Sequence, residues 1–216
     1  MSEQYGRFQQ QRQQMVEQQL LARGISDEAV LEAMKKVPRH FFLPEQKWAE
    51  AYADAAISIG PDQALSQPYI VALMLESVRV TPTDRVLEVG TGTGYQTALL
   101  AEIASSVCSV ELDPNLAVKA EQLLKGIGYD NVECRSSNGW LGWPDRAPFD
   151  VIIVSAAARE IPRDLVKQLK TGGRMILPIG DDDQCLCFIE KTPEGLISQE
   201  LGAVRFVPLK DERNHH

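Results

Sequence analysis

The stretch Val86-Leu87-Glu88-Val89-Gly90-Thr91-Gly92-Thr93-Gly94-Tyr95-Gln96-Thr97 decides the fold. An apolar strand runs into three glycines at alternate positions, and an apolar, helix-compatible segment follows. Glycine lets the backbone turn tightly and come close to a ligand. The carboxylate of Glu88 precedes the first glycine by two residues, and a carboxylate beside a phosphate site would repel its ligand. A strand, glycine loop and helix with that acid suit a cationic or zwitterionic nucleoside such as S-adenosylmethionine. Two rivals stay open. A nicotinamide or flavin dinucleotide site reads Gly-x-Gly-x-x-Gly; here the third glycine, Gly94, arrives one residue early and Tyr95 takes its place. The loop could also be a purely structural tight turn.

Outward from this loop, helical and strand patterns alternate, which signals a parallel α/β sheet. Strands are expected at Arg85–Val89, Val107–Glu111, Val132–Arg135, Phe149–Ser155, Arg174–Ile179, Leu186–Glu190 and Leu201–Val207. Helices are expected at Tyr69–Val78, Tyr95–Ala104, Asn115–Gly126 and Ile161–Leu169. Upstream, one helix covers about Gln4 to Ala22 and stops at Gly24; a second takes Ser26 as its N-cap and ends before Pro38. Pro44 to Pro68 reads as an ordered loop, and a loop that long is usually functional. A single domain is the economical reading. Residues 1–80 would supply N-terminal helices and a substrate loop, and residues 81–216 a cofactor-binding α/β core.

Composition narrows the function. The 216 residues carry a formal charge of −8, which argues against a general nucleic-acid binder. No apolar run spans a bilayer, and the glutamine-rich start shows no signal-peptide core. The expectation is a cytoplasmic monomer with no membrane partner. Cys108 and Cys134 read as buried thiols. Cys185 and Cys187 project to one strand face without zinc-knuckle spacing, and no metal is expected. His40 reads as a packed histidine; His215 and His216 end the sequence.

Ligands in an open α/β sheet bind at the carboxyl ends of the strands. Glu111 closes the second core strand, about 20 residues after the glycine loop, where an acid commonly takes ribose hydroxyls; the bland alternative is a solvated strand end. Asn138, in Ser136-Ser137-Asn138-Gly139-Trp140, is placed to meet an adenine, or makes a plain Asn-Gly turn. Ser155-Ala156-Ala157-Ala158 offers small residues against which a cofactor could lie. The candidate cofactor wall is Glu88, Gly90, Thr91, Gly92, Gly94, Glu111, Leu112, Asn138, Gly139 and Ser155.

The segments Leu65-Ser66-Gln67-Pro68-Tyr69-Ile70, Val86 through Leu100, Cys108-Ser109-Val110-Glu111, Ala147 through Val154, Gly172-Gly173-Arg174 and Val204-Arg205-Phe206-Val207-Pro208-Leu209 resemble the protein-L-isoaspartate O-methyltransferase family. The glycine motif alone indicates a methyltransferase; the Ser-Gln-Pro segment and the Val-Arg-Phe-Val-Pro-Leu ending narrow it. The resemblance implies a Rossmann-like sheet of seven strands, one reversed, with an altered order of the last strands and helices on both faces. It implies methyl transfer from S-adenosyl-L-methionine to the α-carboxylate of isoaspartyl residues in damaged proteins. It assigns Ser66 as the active-site hydroxyl, with Gln67, Val204, Arg205 and Phe206 on the substrate. For Ser66 a helix N-cap is the alternative role.

Two departures stand out. The family's Gly-Gln-Thr-Ile-Ser becomes Asp62-Gln63-Ala64-Leu65-Ser66, and its Gly-Asp-Gly becomes Ser137-Asn138-Gly139. Asparagine is a weaker acceptor than a carboxylate, so cofactor affinity is expected to fall. These departures keep two rival functions in view: methylation of another carboxylate or small metabolite, and a degenerate cofactor-binding relative or partner protein without repair activity.

Overall fold

The computed structural model describes residues 2–60 and 63–211; Asp62, His215 and His216 lie outside the described residues. Helix α1, Ser2–Met15, continues through one π-helical turn at Val16–Leu20 and a 3-10 turn at Leu21–Arg23. The run then stops at Gly24, whose φ of 91° is left-handed. Phe8, Met15, Val16 and Leu20 supply its buried side.

Helix α2, Glu28–Lys36, is capped by Asp27, whose carboxylate accepts from Val30 N. Ser26, the expected cap, is one residue too early. Its backbone N–H donates to Glu76 Oε1 at 2.7 Å and its hydroxyl at 3.3 Å. The expected loop from Pro44 to Pro68 is more structured than foreseen. It holds a 3-10 segment, Glu45–Glu50, and an antiparallel hairpin of β1, Ile57–Gly60, and β2, Gln63–Leu65.

Helix α3, Pro68–Val78, leads to strand β3, Arg85–Val89, and α4, Tyr95–Ile103. Then come β4, Ser106–Glu111, α5, Pro114–Gly126, β5, Val132–Ser136, and β6, Phe149–Val154. Proline at the first position of α5 follows an Asp113 cap that accepts from Asn115 N and Leu116 N. The chain closes with α6, Arg163–Gln168, β7, Leu169–Ile179, β8, Gln184–Thr192, and β9, Gly195–Val204. The last strand begins six residues before the expected Leu201, because pairing with β8 and not an apolar pattern fixes it.

The seven core strands lie in the order β5-β4-β3-β6-β7-β8-β9. Pairing is parallel from β5 to β7, whereas β8 runs antiparallel to both neighbours, giving one reversed strand. Alternate side chains serve opposite faces. Val86, Val151, Ile153 and Ile176 join one buried cluster with α2, α3, α4 and Leu124 of α5. Leu87, Val89, Ile152, Val154, Met175 and Leu177 join another with Leu165 of α6 and Trp143. The sheet is therefore covered on both faces. The order reverses at β3, whose neighbours β4 and β6 lead away on opposite sides. A crevice opens at its carboxyl end.

Candidate active site

The turn after β3 closes when Gly90 N and Thr91 N both donate to Val110 O, at 2.8 and 3.3 Å. Gly90, Gly92 and Gly94 all take left-handed φ, at 96°, 55° and 92°. A Cβ at Gly92 would meet no protein atom within 4 Å, so this glycine keeps the space in front of the loop open. Gly94 does a different job. A Cβ there would stand 3.2 Å from Leu124 Cδ1 and 3.4 Å from Ala120 Cβ, so its absence lets α4 start close against α5.

A cavity of about 340 Å³ lies in front of the loop. Of the expected cofactor wall, Gly90, Thr91, Gly92, Glu111, Leu112, Gly139 and Ser155 line it. Glu111 is held in place by two backbone donors, Gly92 N at 2.8 Å and Asp113 N at 3.1 Å. A carboxylate offers about four lone-pair positions, so it can accept more. The charged side chains on the described wall are Glu111, Asp113 and Lys210.

Three expected wall residues stand elsewhere. Glu88 is fully buried behind the loop. Strand alternation turns it towards α4 and β4, where it accepts from Thr97 Oγ1 at 2.5 Å, Ser109 Oγ at 2.6 Å and Gln96 Nε2 at 3.0 Å. Burial raises its carboxyl from 4.5 to about 7, against the pull of those hydrogen bonds. The carboxylates that face a cationic ligand are therefore Glu111 and Asp113. Gly94 is the packing glycine already described. Asn138 accepts from Trp140 N at 3.0 Å and donates to Asp211 Oδ1 at 2.8 Å, which occupies the amide expected at an adenine. An aspartate here would face the Asp211 carboxylate.

Ser66, just before α3, reaches the same cavity. The N-cap of α3 is Gln67, without a side-chain cap bond, so the Ser66 hydroxyl is not spent on capping. Among the described residues that hydroxyl has no protein partner. Gln67 turns away, and its Nε2 donates to Asp54 Oδ1 at 2.7 Å and Asp54 O at 3.2 Å. Val204, Arg205 and Phe206 are off the wall as well. Phe206 is engaged through its backbone, accepting from Gln184 Nε2 at 3.0 Å and donating to Gln184 Oε1 at 2.6 Å. The C-terminal contribution comes from the next residues, Val207 to Lys210, clamped when Ala157 N donates to Val207 O and Leu209 N to Ala157 O.

Several wall residues lie outside the expected set: the hairpin residues Ile59 and Gln63 to Leu65, and Thr93, Tyr95 and Gln96 around the start of α4. The last three were visible in the glycine stretch itself, since residues opening the helix after such a loop face the ligand side.

The wall suits an S-adenosylmethionine-like nucleoside. The Thr93 hydroxyl is buried without a partner, and Gly92 leaves ligand space open. Two carboxylates, one lysine and no arginine stand on the described wall. A family model described as protein-L-isoaspartate(D-aspartate) O-methyltransferase matches residues 10–214.

The chain belongs to this family.

A protein-L-isoaspartate O-methyltransferase 1 of Syntrophobacter fumaroxidans is 51% identical over 94% of this chain and 95% of its own length. The Gloeobacter violaceus protein-L-isoaspartate O-methyltransferase is 48% identical, covering 92% of this chain and 98% of its own length. Among solved structures, a protein-L-isoaspartate O-methyltransferase superposes with a TM-score of 0.84 at 29% identity, over 93% of this chain and 66% of that one. A Plasmodium falciparum beta-aspartate methyltransferase in complex with S-adenosyl-L-homocysteine gives a TM-score of 0.77 at 29% identity, over 91% and 96%. The expected fold class, a seven-stranded methyltransferase sheet, agrees with these relatives.

Proposed function

We infer that the chain transfers a methyl group from S-adenosyl-L-methionine to the free α-carboxylate of L-isoaspartyl residues in proteins and peptides, the step that starts their return to aspartyl. One observation carries this reading: the glycine loop, Glu111 and the unengaged Ser66 hydroxyl share a single cavity. Residues 1–80 supply Ser66 and the hairpin, residues 81–216 the loop, and the two stretches work as one unit. When bound, the cofactor supplies an electrophilic methyl group on a sulfonium centre.

The wall residues have separate tasks. Glu111 takes the ribose hydroxyls, and Gly90, Thr91 and Gly92 bring backbone against the ligand. Gly139 and Ser155 close the sides, and Leu112 adds apolar surface. Ser66 donates a hydrogen bond to one oxygen of the acceptor carboxylate and leaves the other free to attack. No base is required, because an α-carboxyl with a pKa of about 3.3–3.7 is already ionised at neutral pH. The inventory agrees. His40 is buried away from the wall against Phe8, 4.3 Å between ring centres, and burial lowers it to about 4. Tyr95 on the wall is raised by burial to about 12 and stays neutral. What remains is alignment and exclusion of water, and alignment can supply about 7–11 kcal/mol.

No helix among the described residues is long and apolar enough to cross a membrane. The function is tested by labelled methyl transfer to a synthetic isoaspartyl peptide and to its normal aspartyl twin. Transfer to the isoaspartyl peptide alone is expected. Transfer to a different carboxylate would replace the substrate, and cofactor binding without transfer would mark a degenerate relative.

A further inference from the structure

Arg39 has no exposed surface and no ion-pair partner among the described residues. A fully buried charge is rare unless paired. Its contacts point to the cavity. Nε donates to Ala51 O at 2.7 Å, and Nη2 donates to Ser66 O at 2.8 Å. The guanidinium carbon lies 4.9 Å from the centre of the Tyr95 ring. Arg39 Nη1 and Tyr95 Oη are both buried and interact with each other, and neither makes a hydrogen bond of normal geometry among the described residues.

Ser66 and Tyr95 are wall residues, so Arg39 sits directly behind them. Its neighbour His40 fixes the segment, stacked on Phe8 and 2.8 Å from Tyr52 Oη. A guanidinium keeps its proton at any physiological pH. A permanent positive charge therefore stands at the Ser66 end of a cavity whose carboxylates, Glu111 at the end of β4 and Asp113 just after it, lie elsewhere on the wall.

We propose that Arg39 is a positioning residue for the acceptor: it pins the Ser66 carbonyl and sets an uncompensated positive charge behind that end of the cavity, so the site selects an anionic acceptor. The proposal rests on the cavity being the methyl-transfer site. In the reaction a carboxylate oxygen bonds to the methyl carbon, the sulfur–carbon bond breaks, and its electron pair stays on sulfur. The acceptor's negative charge fades as the ester forms. The charge of Arg39 thus favours the bound carboxylate over both the transition state and the neutral product, while its grip on Ser66 O holds the alignment. Loss of the charge weakens acceptor binding, and loss of the grip is what slows turnover, by less.

The test is calorimetric binding of two peptides to the chain loaded with S-adenosyl-L-homocysteine: an isoaspartyl peptide with a free α-carboxylate, and the same peptide with a neutral α-amide. The parent chain binds the acid more tightly than the amide. Arg39→Met, checked by circular dichroism and by its affinity for S-adenosyl-L-homocysteine, reduces that preference by about 10- to 50-fold. In the methylation assay the same variant raises KM more than it lowers kcat, and Arg39→Lys restores most of the preference. A folded Arg39→Met that keeps the parent's preference overturns the proposal.

Where Arg39→Met does not fold, the parent chain still decides. Raising KCl from about 50 to about 500 mM changes the preference less than about 3-fold if the charge is buried. Collapse of the preference over that range assigns it to a surface cation such as Lys210 and overturns the proposal. Failure of the parent chain to bind the acid peptide at all would strike the functional reading itself, before any variant is made.

Discussion

Replacing Glu88 with glutamine isolates the cost of keeping a carboxyl group wholly inside the sheet. Its proton affinity rises from 4.5 to about 7 on folding, chiefly through burial. At about 1.36 kcal/mol for each tenfold change, this amounts to ~3 kcal/mol. The sign follows from proton counting. Between about pH 4.5 and 7 the native chain holds this proton and the unfolded chain has released it, so stability falls as pH rises through that window. Above about pH 7 the full penalty applies.

Glutamine resembles the protonated form. Its amide oxygen can accept from Gln96 Nε2, and its amide nitrogen can donate to Thr97 Oγ1 and Ser109 Oγ, the present partners. Any change in hydrogen-bond strength, about 1 kcal/mol, is independent of pH. Urea unfolding of both proteins at about pH 5, 6, 7 and 8 measures the difference. Relative to the parent, Glu88→Gln gains about 2–3 kcal/mol between the lowest and highest pH. A difference constant to within about 1 kcal/mol would show that Glu88 titrates normally and that burial is not the dominant influence.

Other substitutions probe the cavity. Ser66→Ala lowers kcat/KM for an isoaspartyl peptide by about 10- to 100-fold and leaves cofactor affinity near that of the parent; an unchanged rate removes the hydroxyl from the account. Glu111→Ala, which frees Gly92 N and Asp113 N, weakens cofactor binding far more than peptide binding in calorimetric titration. The reverse ranking refutes its ribose role. Gly139→Ala puts a Cβ 2.6 Å from Val89 Cγ1 and 2.9 Å from Leu209 Cδ1. It destabilises by about 1–3 kcal/mol in urea; a variant as stable as the parent would mean that Leu209 yields freely.

The regular elements around the glycine loop were legible because their signals are local. Strand Arg85–Val89 has the predicted ends, framed by the turn before it and the glycines after it. Helix α5 ends at the expected Gly126 and begins at Pro114, one residue before the expected Asn115. Long-range contacts hid the rest. The β1–β2 hairpin is too short for its alternation to stand out, and β9 is largely exposed along its length, so no apolar pattern marks its start. Glu88 shows the same limit in the site. The two-residue period of a strand separates it from Leu87 and Val89, but only the register with Ser109 shows which face holds partners. Asn138 is taken by Asp211, 73 residues away. Arg39 gave no signal, because the carbonyls that hold it come from Ala51 and Ser66, brought together only by the fold.

The most direct measurement is a crystal structure with S-adenosyl-L-homocysteine and an isoaspartyl peptide bound together. The account predicts the nucleoside against the glycine loop and Glu111, and the peptide's α-carboxylate on the Ser66 hydroxyl with one oxygen facing the sulfur. A carboxylate seated away from Ser66, or a nucleoside bound outside this cavity, would contradict it.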